Sequence, residues 1–228
     1  MQLKLLRVVT ISLVPPSKPR RSPKPQERLR DPERTRKLIL DAATAEFAAH
    51  GYAGARTGAI AAKAGVNQQL LWYYFDGKEG LYRAISERWR ERESELIPSA
   101  TPLPEQIRRY ALEALHNPEG VRLLAWGGLE YTGPQDDPDH TPRAERIQGF
   151  IDHVRAQQES GRLSAEVDPA CLTTILLAAA MATTSIPHVI EGACQVDPRS
   201  PEFIQHYAEQ LAVLARLLGL DPAENSTT

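Results

Sequence analysis

Apolar residues recur every three to four positions along most of the chain, which is the spacing of one face of an α-helix. No segment alternates convincingly between apolar and polar residues as a half-buried strand does. Prolines and N-capping side chains precede several of the helical stretches, as expected at helix starts. The pattern therefore predicts an all-α fold, with helices over about 31–50, 56–64, 67–75, 78–96, 104–116, 118–131, 142–160, 168–186 and 200–219.

The most informative stretch runs from Thr57 to Lys78 and is predicted to form two short helices joined by a tight turn. Gly65 fits the position after a helix C-terminus, where a positive φ favours glycine. Asn67 is a suitable N-cap for the second helix. Two short helices joined by a three- to four-residue turn that contains glycine are typical of a helix-turn-helix.

The second of these helices has two different faces. Val66, Leu71 and Phe75 recur at near-helical spacing and are predicted to face a core. Side chains that can hydrogen-bond to base edges and phosphates point elsewhere; they are Gln68, Gln69, Trp72 and Tyr73, with Tyr74 at the boundary. Lys78 opens the next helix, where its charge opposes the helix dipole, so a bound phosphate there would be favourable.

Over about residues 34–94 the chain resembles the DNA-binding domain of the TetR/AcrR transcriptional regulators, at several fixed spacings. The matching positions are Thr35-Arg36, Ile39-Leu40-Asp41-Ala42-Ala43, Phe47, Gly51-Tyr52, Ile60-Ala61, Ala64-Gly65-Val66-Asn67, Leu71-Trp72-Tyr73-Tyr74-Phe75, Lys78-Glu79 and Leu81. The resemblance implies an N-terminal three-helix DNA-binding domain and a C-terminal helical domain for ligand binding and dimerisation.

Residue pattern and resemblance together give one set of candidate DNA-binding residues. They are Arg56, Thr57, Asn67, Gln68, Gln69, Trp72, Tyr73, Tyr74 and Lys78. The chain departs from the family at Gln69 and Leu70, where many members have a small residue and a threonine. Gly58 falls where a long side chain often reaches DNA, and Arg56 is the candidate substitute. The operator sequence of a relative is therefore not transferable to this chain.

Composition and charge are consistent with this division. The 228 residues are 42% hydrophobic and 25% charged, an ordinary globular composition. Residues 1–82 carry 14 lysines and arginines against 7 acidic residues, whereas residues 83–228 carry 13 against 22. A basic N-terminal third and an acidic remainder fit a DNA-binding domain fused to a domain that does not bind DNA, although a basic tail contributes most of the excess.

The predicted organisation has four parts: a disordered basic extension (1–30), a helix-turn-helix domain (31–82, its last helix continuing to about 96), a regulatory and dimerisation domain (83–221) and a flexible tail (222–228). Arg7 interrupts the apolar start and Pro15-Pro16 follow it, which argues against a signal peptide. Two interpretations of the extension stay open: an arm that contacts phosphates or a minor groove, or an unstructured leader.

Residues 169–190 carry no charge, which by length could indicate a membrane span. Threonines, Pro187 and His188 argue against one, so a helix buried on several sides is predicted. In the resembled family the last two helices usually form a four-helix interface with the partner subunit. This implies a homodimer whose candidate interface residues are Leu177, Phe203, Leu211, Leu214 and Leu218.

No catalytic, metal-binding or phosphate-cradling pattern is present in the sequence, so we expect no enzyme activity, no cofactor and no metal. The resemblance implies a ligand cavity among the C-terminal helices. Aromatic and polar side chains at helical positions are its candidate lining: Tyr110, Trp126, Tyr131, Phe150, Met181, Thr184 and His188, with His116 and His153 as further possibilities. Cys171 and Cys194 lie in apolar surroundings and are predicted to be buried, reduced thiols.

The function implied is a cytoplasmic, homodimeric repressor that binds a palindromic double-stranded operator and is released by a small-molecule effector of unknown identity. No membrane association is expected. Two alternatives stay open: a DNA-binding regulator without a small ligand, acting as an activator or controlled by a protein, and a helical enzyme or carrier that has kept the domain.

Overall fold

The computed structural model describes residues 32–98, 101–137 and 139–220, and contains no strand within them. The all-α prediction is confirmed. The helices are α1 (Pro32–Gly54), α2 (Thr57–Ala64), α3 (Gln68–Phe75), α4 (Lys78–Leu96), α5 (Leu103–His116), α6 (Pro118–Leu129), α7 (His140–Glu159), α8 (Pro169–Ala180), α9 (Ala182–Ser185), α10 (Pro187–Cys194) and α11 (Pro201–Leu217), with a 3₁₀ turn at Pro134–Asp136. The predicted extension, the first residue of the helix predicted over 31–50 and the C-terminal tail lie outside the described residues.

The turn between α2 and α3 has the predicted caps. Gly65 adopts φ 68° and ψ 29°. The Val66 N–H donates to the Ala61 carbonyl at 3.0 Å and the Gly65 N–H to the Ala62 carbonyl at 3.2 Å, so two terminal carbonyls of α2 are satisfied. At the start of α3, Asn67 Oδ1 accepts the Leu70 N–H at 2.8 Å. These local bonds fix the angle between α2 and α3.

The regular part of helix α1 ends at about His50, as predicted, and a bend follows it. Gly51 lies in the bend with φ 70° and ψ 177°, and a further helical turn runs to Gly54. Positive φ strains residues that carry a Cβ, so glycine suits this position. The bend faces α6, which packs along α1.

Helices α1 to α4, the N-terminal bundle, share one hydrophobic core. Its buried side chains are Ile39, Leu40, Ala42, Ala43, Phe47, Ala55, Ile60, Ala61, Leu71, Phe75, Leu81, Ala84 and Ile85, joined by Leu123 of α6. The contribution of α6 ties the N-terminal bundle to the helices that follow it.

Helices α5 to α11, the C-terminal bundle, contain a second core, to which α5, α7, α8 and α11 contribute and in which α11 lies along α5. This core consists of Leu103, Ile107, Ala111, Val154, Leu163, Leu172, Leu176, Ala180, Ala208, Leu211, Ala215 and Leu220. Prolines in the first turn and capping side chains set several starts; Asp168 Oδ1, for example, accepts the Cys171 N–H at 2.8 Å.

The helix predicted over 168–186 is interrupted at Met181, which separates α8 from α9, and a second break at Ile186, the predicted helix end, separates α9 from α10. Ile186 has φ −132° and ψ 46°, outside the helical region. It precedes Pro187, whose ring disfavours a helical conformation in the preceding residue. Within the described ranges, no helix combines the length and apolar character that a membrane crossing requires.

Candidate DNA-binding surface and adjoining cavity

Helix α3 separates its inward and outward side chains as its pattern predicts. Leu71 is fully buried and Phe75 nearly so, whereas Tyr73 is 81% and Trp72 55% exposed. Gln68 and Gln69 are also exposed. The amides and aromatic rings therefore share a solvent-facing surface at the end and side of α3 that helix-turn-helix proteins present to DNA.

Two glycines allow this surface to form. A Cβ at Gly58 would lie 3.0 Å from Gln68 Nε2, and the Gln68 amide lies 3.5 Å from Thr57 Oγ1, a long hydrogen bond. Gly77 has φ 92°, and a Cβ there would stand 2.7 Å from the Trp72 ring. The absence of these side chains lets Gln68 and Trp72 lie against the neighbouring helices.

The other predicted DNA-contacting residues lie around α3 in different environments. Arg56 is exposed before α2, and Tyr74 is half-buried with its ring edge-on to Tyr73 at 5.3 Å. Asn67 Oδ1 accepts the Leu70 N–H and so caps the start of α3. Lys78 Nζ donates to the Ala53 carbonyl at 3.1 Å and lies 4.8 Å from the centre of a tyrosine ring. Burial lowers the pKa of the Lys78 ammonium, and the Glu130 carboxylate opposes that shift.

An open cavity of about 1730 Å³ lies beside α4, between the two bundles. Of the predicted lining residues, it brings together Tyr110, Tyr131, Phe150 and Met181, together with His116. Its apolar wall is completed by side chains from α6, α7 and α8 and by the residue between α9 and α10, which are Leu123, Leu124, Ile147, Leu177 and Ile186.

Three predicted lining residues lie elsewhere. Trp126 turns away from the cavity and donates its indole N–H to the Ala48 carbonyl at 3.2 Å. Thr184 sits in the short helix α9 outside the lining, and His188 borders a separate shallow depression on α10. His153 also lies outside it, where it contacts Gln157 at 3.3 Å. Because the helix breaks at Ile186, α10 runs in a different direction from the one that a continuous helix would have taken.

A polar cluster that the sequence analysis missed forms part of the cavity wall. The Tyr110 hydroxyl donates to Glu93 Oε1 at 2.5 Å. Arg146 Nε lies 2.7 Å from Glu93 Oε2, a close contact of opposite charges without hydrogen-bond alignment. Arg146 also reaches Asp139 Oδ2 at 3.2 Å.

Burial sets the protonation behaviour of this cluster. It raises the pKa of the Glu93 carboxyl, while the Tyr110 hydroxyl and Arg146 act in the opposite direction. It also raises the pKa of the Tyr110 hydroxyl, with Glu93 adding to the shift. A sequence signal for Glu93 existed, because it continues the inward register of Leu81, Ile85 and Trp89 along α4. The surrounding charged residues concealed that signal.

The predicted interface residues lie in three different environments. Leu214 on α11 and Leu218 directly after it are exposed, beside Leu217, which is 80% exposed, and Val213. Leu211, in contrast, is buried in the core of its own protomer, and Leu177 lines the cavity, so neither is available to a partner on that face. The remaining candidate, Phe203, is half-buried and stacks on Tyr207.

The prediction of two buried cysteines is wrong for the protomer, because Cys171 and Cys194 are both exposed. Cys171 lies on the outer side of the first turn of α8, and Cys194 is the last residue of α10. Among the described residues no group of three or more histidine, cysteine and acidic side chains is placed to hold a metal ion.

Residues 39–85 match the family described as bacterial regulatory proteins, tetR family, and residues 103–210 match the tetracyclin repressor-like C-terminal domain. The HTH-type transcriptional repressor SCO4008 of Streptomyces coelicolor is 35% identical over 164 residues, which cover 70% of this chain and 83% of that protein. The chain belongs to the TetR family. It is accordingly a transcriptional regulator with a DNA-binding helix-turn-helix domain.

Solved structures of other proteins share the fold. The putative transcriptional regulator SCO4942 from Streptomyces coelicolor superposes with a TM-score of 0.64 at 29% identity, covering 82% of this chain and 99% of that one. AibR, crystallised in complex with isovaleryl coenzyme A and operator DNA, gives a TM-score of 0.62 over 82% of this chain and 100% of its own. At 17% identity, the AibR likeness shows the fold alone.

Proposed function

We propose that this protein is a cytoplasmic, dimeric transcriptional repressor that binds a palindromic operator and is released by a small molecule. The observation that carries the proposal is the outward face of α3, where two glutamines, a tryptophan and a tyrosine are exposed over a fully buried Leu71. The name of the relative SCO4008 supports repression rather than activation. We assign the protein no catalytic role.

The DNA-binding part comprises residues 31–82, and the regulatory part comprises residues 83–221. A two-fold dimer presents one α3 to each half of the operator, in major grooves roughly 34 Å apart. Gln68 and Gln69 lie at the N-terminal end of α3, which reaches base edges in helix-turn-helix docking, so we assign them to base reading. Arg56 and Trp72 flank them as further contacts.

We assign phosphate contacts to Thr57, Tyr73, Tyr74 and Lys78. The ammonium of Lys78 has three donors and uses one of them on the Ala53 carbonyl, so two remain for an anion. The Asn67 amide nitrogen is next to this surface, while its oxygen caps α3. These contacts fix the position of α3 on the duplex without selecting a sequence.

The effector site is assigned to the cavity beside α4, around Tyr110, Tyr131, Phe150 and Met181. Ligand sites are commonly concave and largely apolar with a few convergent polar groups, and this cavity adds the polar cluster of Glu93 and Arg146 to an apolar wall. An effector releases DNA only if it binds the DNA-free conformation more tightly. A coupling of about 1–3 kcal/mol is typical of allostery.

Footprinting of the full-length protein on genomic fragments, including its own upstream region, tests the function. We expect protection of a two-fold symmetric site whose apparent affinity falls linearly on a log–log plot against salt. Lys78→Ala should lower the slope by about one unit. Lys37→Ala is the matched control, because Lys37 pairs with Asp41 on α1. The absence of any footprint at low salt would contradict the proposal.

The alternative without a small ligand is tested at the cavity. Calorimetry against a metabolite panel should identify a compound that also releases the footprinted DNA. Leu177→Trp, which places an indole in the cavity, should abolish binding of that compound while leaving the footprint intact. A compound that releases DNA equally from this variant would place the effector site elsewhere.

A further inference from the structure

The side chains of Gln68 and Thr57 are joined across the turn between α2 and α3. Thr57 is the first residue of α2 and Gln68 the first residue of α3. Gln68 Nε2 lies 3.5 Å from Thr57 Oγ1, so an amide N–H donates to the hydroxyl oxygen in a long hydrogen bond. An exposed glutamine has several accessible rotamers. This bond favours the one in which the nitrogen is turned towards α2.

Gly58 provides the space in which the Gln68 amide lies. Gly58 belongs to α2 and is not among the glycines with a positive φ, so its backbone conformation does not require glycine. A Cβ at position 58 would stand 3.0 Å from Gln68 Nε2 and 4.0 Å from Gln68 Cδ. The nitrogen is therefore the part of the amide that faces α2, and a side chain at position 58 would push it outward.

The position of the nitrogen determines which atom of Gln68 is left for a base. With Nε2 turned towards α2, the other arm of the amide, Oε1, points away from α2, and a carbonyl oxygen only accepts hydrogen bonds. In the major groove the exocyclic amines of adenine (N6) and cytosine (N4) are donors, whereas guanine O6 and thymine O4 are acceptors. Gln68 Oε1 therefore matches the base of a pair that carries the amine.

A phosphate bound to Thr57 would hold the amide in the same orientation. The proposed function assigns Thr57 a phosphate contact, and a phosphate oxygen accepts hydrogen bonds from the protein. The Thr57 hydroxyl has one proton. When that proton is donated to the phosphate, only lone pairs face Gln68, and these accept an N–H but repel Oε1. The contact that positions α2 and α3 on the DNA backbone thus also fixes which atom of Gln68 meets the base.

Gln69 is a reference within the same helix, because it lacks this restraint. It is exposed, like Gln68. One residue turns an α-helix by about 100°, so the Gln69 side chain leaves α3 in another direction. No atom of Gln69 lies within 4 Å of the place that a Cβ at Gly58 would occupy. Substitution of Gly58 should therefore act on Gln68 and not on Gln69.

We propose that Thr57 and Gly58 are positioning residues that fix the Gln68 amide, and that Gln68 accepts a hydrogen bond from the exocyclic amine of an adenine or a cytosine. The proposal rests on the proposed function and deepens it, because it names the base chemistry that is read at one position of each half-site. It also gives Gly58, a residue without a side chain, a part in sequence specificity.

Selection of bound sequences from random double-stranded DNA by the full-length protein tests the positioning. The base pair at which Gln68→Ala relaxes the preference is the one that Gln68 reads. Wild type should discriminate there by roughly fivefold or more, the lower end of the range for a good base contact. Gly58→Ala and Thr57→Val should bring this preference close to unity and leave the base pair read by Gln69 unchanged. Thr57→Ser keeps the hydroxyl and should retain the preference.

Removal of the amine from the selected DNA tests the base chemistry. In the selected duplex, the adenine or cytosine of the base pair read by Gln68 is replaced by the analogue that lacks the exocyclic amine. Wild type should bind this duplex roughly fivefold or more weakly than the parent duplex. Gln68→Ala and Gly58→Ala should bind the two duplexes about equally, so that any effect of the analogue on the duplex itself is subtracted.

Two controls separate positioning from folding. Alanine is a better helix former than glycine, so Gly58→Ala should unfold at a temperature no lower than that of wild type. Gly149→Ala is the matched control, because Gly149 is an exposed glycine of α7 with no atom within 4 Å of an added Cβ. It should select the same sequences as wild type.

An unchanged preference in Gly58→Ala or Thr57→Val would overturn the proposal and leave the proposed function intact. Equal weakening of wild type and Gln68→Ala by removal of the amine would also overturn it, since Gln68 would then present its nitrogen or no atom to that base. A Gln68→Ala protein with the wild-type preference at every base pair would have the same consequence. A wild-type protein that selects no sequence would contradict the proposed function itself, and this proposal with it.

Discussion

The N-terminal and C-terminal bundles pack their apolar side chains differently. The N-terminal bundle buries Phe47, Ile39, Ile60, Leu71 and Leu81 completely within four helices. The C-terminal bundle has a core of its own, yet it borders a cavity of about 1730 Å³ and leaves Leu214, Leu217 and Leu218 exposed at the C-terminal end of α11.

This difference is consistent with the tasks that we propose for the two bundles. A surface that reads DNA must hold its side chains in fixed positions, and close packing beneath α3 provides that rigidity. A ligand site needs unfilled space, and an exposed apolar face on a helix marks an interaction surface. The comparison predicts that substitutions at equally apolar positions will have different consequences in the two regions.

The largest effect is expected when a negative charge is introduced on the buried side of α11 and, in a separate variant, on its exposed side. Leu211→Glu buries an unpaired carboxylate in the protomer core, which costs several kcal/mol, so we expect unfolded or insoluble protein. Leu217→Glu places the same charge on an 80% exposed position, so the protomer should fold but fail to dimerise. Light scattering after size exclusion, with circular dichroism, measures both results. A soluble, fully dimeric Leu217→Glu protein would show that the interface lies elsewhere.

A second pair of substitutions separates folding from DNA binding on α3. Leu71→Ala removes a fully buried side chain and should destabilise the N-terminal bundle by about 2–5 kcal/mol in urea denaturation. Tyr73→Ala, two residues away and 81% exposed, should change stability by less than about 0.5 kcal/mol and still weaken DNA binding. Equal stability losses in the two variants would contradict the division of α3 into a buried face and an exposed face.

An intermediate effect is expected at the ion pair between α4 and α5. Glu113 is almost fully buried and accepts two hydrogen bonds from Arg92, at 2.8 and 3.1 Å. Glu113→Ala should therefore cost about 1.5–3 kcal/mol of unfolding free energy, the range for hydrogen bonds to charged groups. Glu91→Ala, on the exposed side of α4, is the control and should be nearly neutral. Similar losses of unfolding free energy in both variants would indicate that the pair of Glu113 and Arg92 stabilises the fold no more than an exposed acid does.

The smallest effect is a pH dependence at Glu105, where Arg108 and Arg109 hold the pKa of the carboxyl at about 2 against an ordinary value of 4.5. Because the folded-state pKa is depressed, the stabilisation is complete above pH 4.5 and is lost as the pH falls through 2. Solvent screening limits it to about 1 kcal/mol. The difference in unfolding free energy between wild type and Glu105→Gln should shrink over this window, and a difference that grew at low pH would contradict the assignment.

The helix-turn-helix could be predicted from sequence because its determinants are local. Gly65 and Asn67 act on backbone groups within four residues of themselves, and the spacing of Leu71 and Phe75 reports directly which face of α3 is buried. The bend at Gly51 was predicted only as a helix end. Its conformation depends on Trp126 and Glu130, more than 70 residues away.

The cavity and the exposed face of α11 were harder to predict for the same reason. An apolar stripe on α11 contains Leu211 and Leu214 at helical spacing, yet only the packing against α5 shows that the first is buried within the protomer and the second is not. Trp126 is as plausible a lining residue as Tyr110 from composition alone. The direction of each helix decides between them, and that direction is set by contacts between distant segments.

Selection of bound sequences from random double-stranded DNA by the full-length protein tests the central claim most directly. We predict enrichment of an inverted repeat whose half-sites are centred about one helical turn, or a multiple of it, apart. Gln68→Ala and Gln69→Ala should each relax the preference at one base pair per half-site, at a cost of roughly 1–3 kcal/mol. No enrichment, or a preference that is identical in wild type and both variants, would contradict reading of the operator by the exposed face of α3.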